Sequence, residues 1–192
     1  MTNGPGVAEP VRQFGNRAKV FRAMSAQDFL EHTEDEVCRA LRYDRPLSVL
    51  MVHLDGIAQI DRMQGRDVCK QAVAASVVTL VRTLRRIDRV GRLGLCEFGI
   101  LLPETRLGSA EIAAIRLRDL FAAGPVESAK GSHEIGLNIG ISSVNPRIRD
   151  AREFLMLACA QLRTARRAGN GEICTRPPER VHVTISRSGS VH

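Results

Sequence analysis

The run Asp88-Arg89-Val90-Gly91-Arg92-Leu93-Gly94-Leu95-Cys96-Glu97-Phe98-Gly99-Ile100-Leu101-Leu102-Pro103 decides how this chain folds. Its pattern predicts a short strand over 89–93, a turn at Gly94-Leu95-Cys96 and a second strand over 97–102, ended by Pro103. Two strands so close in sequence pair as an antiparallel hairpin, with Gly94 expected to supply the turn.

Helical periodicity flanks the hairpin. Val73, Val77, Leu80, Val81 and Leu84 predict a helix over 69–86, and Ile112, Ile115 and Leu120 are among the apolar positions of one over 108–122. Further out, residues 25–43 read as a helix, with Phe29, Leu30, Val37 and Leu41 near one face. Glu31, Glu34, Asp35 and Glu36 fall mostly on the other. A Leu- and Val-rich strand follows over 47–54. Beyond Gly124-Pro125 the pattern predicts a strand over 134–144, a helix over 150–168 stopped by Gly169, and a short strand over 172–175. A hairpin set between helices points to an α+β fold of ferredoxin-like type: a mostly antiparallel central sheet flanked by helices. Residues 1–24 read as a flexible or helical leader and 25–175 as the folded domain. Residues 176–192 read as a tail, with one edge strand at 180–185 and a disordered Ser188-Gly189-Ser190 end.

Composition narrows the function classes. No apolar run approaches the roughly 20 residues that span a bilayer, and Met1–Pro10 has no apolar signal-peptide core. The five cysteines (Cys38, Cys69, Cys96, Cys159, Cys174) form no C-x-x-C pair, which argues for reduced thiols. These features predict a cytoplasmic protein without a membrane partner. The net charge is +7; three of the 28 cations are lysine and the other 25 arginine, whose planar fork suits phosphate and flat rings. That charge suits nucleotides. With one tyrosine, no tryptophan and no helix-turn-helix pattern, nucleic acid is not the expected partner.

The run from Asp88 to Phe98 resembles the core of bacterial GGDEF domains, roughly D-x-x-x-R-x-G-G-[DE]-E-F. Its surroundings agree. Arg39–Asp55 resembles the family's helix–strand segment ending in D-x-D, and Leu101-Leu102-Pro103-Glu104-Thr105 the segment after the signature. Ile139-Gly140-Ile141 resembles its S-I-G-V strand, and Ala165–Asn170 its A-K-x-x-G-R-N close. The resemblance covers roughly residues 25–175 and implies a nucleotide-cyclase-like fold.

The family joins two GTP molecules into cyclic di-GMP by two-metal phosphoryl transfer, which needs clustered carboxylates. On the matching positions this sequence departs from the pattern. The first metal aspartate falls at His53, and the acidic signature residue at Cys96. Neither suits Mg²⁺, which takes oxygen ligands. The second signature glycine falls at Leu95, while Asp55 and Glu97 match. The two guanine-reading positions are Asp61 and Lys70, the second replacing a carboxylate acceptor with a cation. The phosphate-binding lysine falls at Arg166 and the following arginine at Asn170, and the family's lead-in on Ala18–Gln27 is unrecognisable. The resemblance therefore implies lost cyclase chemistry, with no catalytic residue, metal or cofactor assigned.

A second family feature is kept. The product-binding R-x-x-D motif falls on Arg85-Arg86-Ile87-Asp88, and the arginine that often completes it, from the following helix, falls at Arg116. By resemblance these three bind cyclic di-GMP. Arg85 would fork onto guanine or phosphate, Asp88 would accept from guanine N–H groups, and Arg116 would neutralise phosphate or stack on a base. The chain is thus expected to be a non-catalytic cyclic di-GMP receptor that signals through a protein partner, with homodimerisation left open. The alternative is a pseudoenzyme scaffold that uses no nucleotide. A minor reading gathers His53, Asp55, Cys96 and Glu97 around a softer metal such as Zn²⁺.

Overall fold

The computed structural model describes residues 23–175. The leader before residue 23 and the tail from 176, with the edge strand expected at 180–185, lie outside the described residues.

Five strands form the central sheet: β1 (Leu47–Asp55), β2 (Arg89–Arg92), β3 (Glu97–Pro103), β6 (Gly136–Ser143) and β7 (Ile173–Thr175). Their order is β2-β3-β1-β6-β7, antiparallel except for the parallel β6–β7 pair. Strand β1 lies at the centre and is buried on both faces, which is why its sequence reads as an apolar run rather than an alternation. Its odd residues Val49 and Met51 pack under α1 (Ala26–Tyr43) and α5 (Ala151–Ala168). Its even residues Leu50, Val52 and Leu54 pack under α3 (Arg66–Thr83) and α4 (Leu107–Ala122). The expected α+β class is therefore the observed one.

Three close contacts fix how helices meet this sheet. Gly91 of β2 and Gly99 of β3 pair directly across the hairpin and leave a slot for the Phe29 ring; a side chain on either would overlap it. Gly140 of β6 lets the α5 backbone approach at Ala158 and Leu162. Residue 24 bridges β2 from outside, its N–H donating to the Val90 carbonyl at 2.7 Å.

Several details differ from the sequence-based expectation. On α1 the buried stripe is Phe29, Thr33, Val37 and Ala40, and Leu30 and Leu41 face outward. On α4 it is Ala110, Ala114, Leu117 and Phe121, and Ile112, Ile115 and Leu120 are exposed. Small residues, Ala40 on α1 and Ala110 and Ala114 on α4, share the inner stripes with Phe29, Val37, Leu117 and Phe121, so residue size alone does not mark the inner face. The helix expected over 69–86 is preceded by another, α2 (Ile57–Gln64), separated from α3 by Gly65 at φ +88°. It ends at Thr83, where the Thr83 hydroxyl donates to the Leu80 carbonyl at 2.7 Å and Leu84 turns extended. Gly94 is not among the glycines at positive φ; the hairpin tip is instead closed by the Glu97 carbonyl, which accepts from the Leu93 and Gly94 N–H groups. A small second hairpin, β4 (Val126–Ser128) with β5 (Gly131–His133), occupies a stretch too short to show a strand period.

Candidate functional site

Two places gather the residues picked out in the sequence. The first is the end of β1 against the hairpin tip. His53 pairs across the sheet with Glu97 on one side and Asn138 on the other. Its Nδ1 is buried without a hydrogen-bond partner and lies 3.9 Å from Glu97 Oε1. Burial, then the nearby Arg166 guanidinium, lowers the His53 pKa, while Glu97 and Asp55 oppose the shift. The imidazole is thus held neutral. Arg166 Nη1 lies 3.5 Å from Glu97 Oε1, so the one carboxylate of the signature faces a cation. Burial also pushes the Cys96 thiol up, with Cys69 and Glu97 adding to it. A thiolate, the form that binds metals, is therefore disfavoured. Asp55 Oδ1 accepts from the Gly56 N–H at 3.0 Å, where the chain leaves β1 for α2. Asp61 and Lys70 are exposed on α2 and α3, and Lys70 lies 3.8 Å from Asp67. Leu95 stands exposed at the tip, and Asn170 is exposed just past α5.

This donor set does not fit Mg²⁺: a neutral imidazole and a protonated thiol stand where oxygens are needed, and an arginine faces Glu97. The softer-metal reading is not supported either. Among the described residues no three His, Cys, Asp or Glu side chains are grouped to hold an ion.

The second place is a groove of about 550 Å³ between the α3–β2 turn and α4, and Arg85, Asp88 and Arg116 all line it. The R-x-x-D residues do not prolong α3; they form a turn of their own. The Asp88 N–H donates to the Arg85 carbonyl at 3.1 Å, and the Arg85 N–H donates to Asp88 Oδ2 at 2.7 Å. Arg89 Nη1 ties the turn down by donating to the Arg86 carbonyl at 2.9 Å. Asp88 Oδ1 is left buried without a partner. Burial raises the Asp88 pKa, against the Arg85 N–H bond and the nearby arginines. Neither the Arg85 nor the Arg116 guanidinium makes a hydrogen bond or ion pair among the described residues. Asp119, a turn along α4 from Arg116, is instead bonded by Arg118 at 2.7 and 2.9 Å.

The groove's apolar walls were missed in the sequence. Ile112, 61% exposed, and Leu120 line it beside Arg116. The signal was available: both fall off the Ala110-Ala114-Leu117-Phe121 stripe, which has the i, i+4, i+7, i+11 spacing of a buried face.

Residues 25–172 match the family "Diguanylate cyclase, GGDEF domain", and the chain belongs to that family. It is similar to the probable diguanylate cyclase DgcC of Escherichia coli K12, 29% identical over 136 residues, covering 71% of this chain and 36% of that protein. The chain thus spans about a third of the length of that curated relative. Two solved structures share the fold. One is the GGDEF domain of DgcB from Caulobacter crescentus in complex with c-di-GMP, with TM-score 0.75, 14% identity, 89% of this chain and 98% of that one. The other is the diguanylate cyclase SiaD of Pseudomonas aeruginosa in complex with its activator SiaC, with TM-score 0.73, 24% identity, 79% of this chain and 58% of that one. No helix among the described residues is long and apolar enough to cross a membrane.

Proposed function

We propose that this GGDEF domain binds cyclic di-GMP without making it, and passes the signal to a protein partner in the cytoplasm. One observation carries the binding half: Arg85, Asp88 and Arg116 line a single groove, with neither guanidinium in a hydrogen bond or ion pair among the described residues and a buried Asp88 oxygen without a donor. A buried acceptor without a donor costs roughly 1–3 kcal/mol, and a turn of the Asp88 carboxylate toward the groove would give Oδ1, closed to solvent as it stands, a guanine N–H as that donor. The two arginines offer forked donors to phosphate or to a base edge. Ile112 and Leu120 give flat apolar area for a purine. The DgcB domain, crystallised with c-di-GMP, and SiaD, crystallised with its activator, are relatives in which ligand and partner occur.

The non-catalytic half rests on the donor set at His53, Cys96 and Glu97, which does not fit Mg²⁺, and on Lys70 at a guanine-reading position. The test has two arms. Incubation with GTP and Mg²⁺ or Mn²⁺ should yield no cyclic di-GMP by chromatography, while added cyclic di-GMP should raise the melting temperature through RT ln(1 + [L]/Kd). Product formation would refute the first half, and an unchanged melt at saturating dinucleotide the second. The exposed α4 residues Ile112, Ile115 and Leu120 favour one competing reading, a scaffold that binds its partner without nucleotide. An unmoved melt would select it.

A further inference from the structure

The sheet face turned away from α3 and α4 is covered by two helices of opposite charge. Helix α1 lies over the β2–β3 hairpin, where the Phe29 ring fills its slot, and α5 lies over β6 at Gly140. The two helices touch side by side and share one apolar core. Their outward faces differ in sign. On α1, Glu31, Glu34 and Asp35 are exposed; on α5, Arg152, Arg163 and Arg167 are. The i, i+11, i+15 spacing puts these three arginines on one stripe of the helix.

These charges are not spent within the chain. Glu34, Asp35 and the three arginines make no hydrogen bond or ion pair among the described residues, although the helices are neighbours. The charges of contrary sign are already occupied. Arg39 lies 3.0 Å from Glu36, Arg42 stands over the Tyr43 ring, and Glu153 is 3.5 Å from Arg149. Large apolar side chains stand among the open charges: Leu30 and Leu41 on α1 are 41% and 40% exposed, and Met156 on α5 is 60% exposed. Leu30, Glu34 and Leu41 recur at i, i+4, i+11, and so do Arg152, Met156 and Arg163. Each helix thus carries one mixed apolar and charged stripe, acidic on α1 and basic on α5.

We propose that this face binds a second copy of the same chain, across a two-fold axis running between the two helices, so that α1 of each copy lies on α5 of the other. Charge selects that crossed arrangement, because α1 on α1 would set acid against acid and α5 on α5 arginine against arginine. Two-fold symmetry makes each acidic–basic contact occur twice. The area suffices. Each helix has 18 residues, about 27 Å at roughly 1.5 Å per residue. Two helices about 10 Å apart present a face of roughly 27 by 20 Å. Two copies together cover about 1,100 Å², at the lower end of specific interfaces. Exposed ion pairs contribute little each, so the dimer is weak and sensitive to salt. It stands independently of the dinucleotide groove, which lies on the α3 and α4 side of the sheet.

The test is sedimentation equilibrium of the full chain without added dinucleotide. Dimer is expected to form below about 100 μM chain, and its affinity should fall about tenfold or more between about 0.05 and 0.5 M salt. Two charge-reversed variants decide which surface is used: Glu34→Arg with Asp35→Arg, and Arg163→Glu with Arg167→Glu. All four positions are exposed, so both variants should fold. Each alone should be monomeric, since its two helix faces then carry one sign. Mixed together they should form a heterodimer, because every crossed contact is again between opposite charges. The proposal is overturned by a parent that stays monomeric at low salt, by variants that associate like the parent, or by a mixture that stays monomeric.

Discussion

The end of β1 and the α3–β2 turn lie on one sheet and belong to one family pattern, yet they have opposite electrostatic character. At the first, charge is paired or suppressed: Glu97 faces Arg166, Asp55 accepts from the Gly56 N–H, and burial keeps His53 and Cys96 uncharged, with His53 Nδ1 left unpartnered. At the second, the Arg85 and Arg116 guanidinium groups line a groove without a hydrogen bond or ion pair among the described residues, and one oxygen of Asp88 is buried without a donor. The two sites share no side chain, so on the proposed reading a domain can drop one ligand's chemistry while holding another's. Substitution at His53 or Cys96 does not touch the turn that Arg89 and Arg85 hold in shape.

The largest effect should come from the groove. Arg85→Ala and Asp88→Ala should each lower cyclic di-GMP affinity by roughly ten- to a hundredfold, since a bond to a charged group contributes about 1.5–3 kcal/mol. Calorimetry on each variant checks this, with Lys70→Ala as a control expected to bind like the parent. A smaller but sharper effect concerns the other site. His53→Asp with Cys96→Asp places oxygens where the family has them and should create Mn²⁺-dependent thermal stabilisation absent from the parent, leaving dinucleotide affinity unchanged. A change in that affinity would show that the two regions are coupled after all.

Two pH effects follow, each smaller. Burial raises the Asp88 pKa, and guanine N–H groups need its carboxylate form as acceptor. Dinucleotide affinity should therefore begin to fall, as pH is lowered, at a higher pH than an ordinary aspartate would set; in Asp88→Asn that slope should vanish along with most of the affinity. The His53 pKa is lowered in the folded state, so the unfolded chain takes up protons first as the medium is acidified. The stability contributed by neutral His53 is present above its ordinary value of 6.5 and is lost as pH falls below it toward the folded pKa. Denaturant melts across that window should show a shallower pH slope in His53→Gln than in the parent.

Much of this was legible in the sequence, for physical reasons that can be named. The β2–β3 hairpin was visible because Pro103 and the run around Gly94 punctuate it, and α5 because Asp150 and Gly169 bracket it; the Asp150 side chain does cap the helix, accepting from the Glu153 N–H at 2.8 Å. Helix faces were harder. Periodicity marks apolar residues, but α4 presses alanines on the sheet and turns Ile112, Ile115 and Leu120 outward, so size misled where closeness of approach decided. Helix α2 was missed because its eight residues bury only Ile57 and Ile60, too few apolar positions to mark a period, while the clear period begins beyond Gly65 in α3. Arg85, Asp88 and Arg116 could be named from the family pattern alone. That Asp88 spends one oxygen on the Arg85 N–H and leaves the other unfilled needed coordinates.

The most direct test is a calorimetric titration of cyclic di-GMP into the full chain and, side by side, into Arg85→Ala. The account predicts saturable binding by the parent and a loss of roughly tenfold or more in the variant. No heat at tens of micromolar ligand, or equal binding by the two proteins, would contradict it.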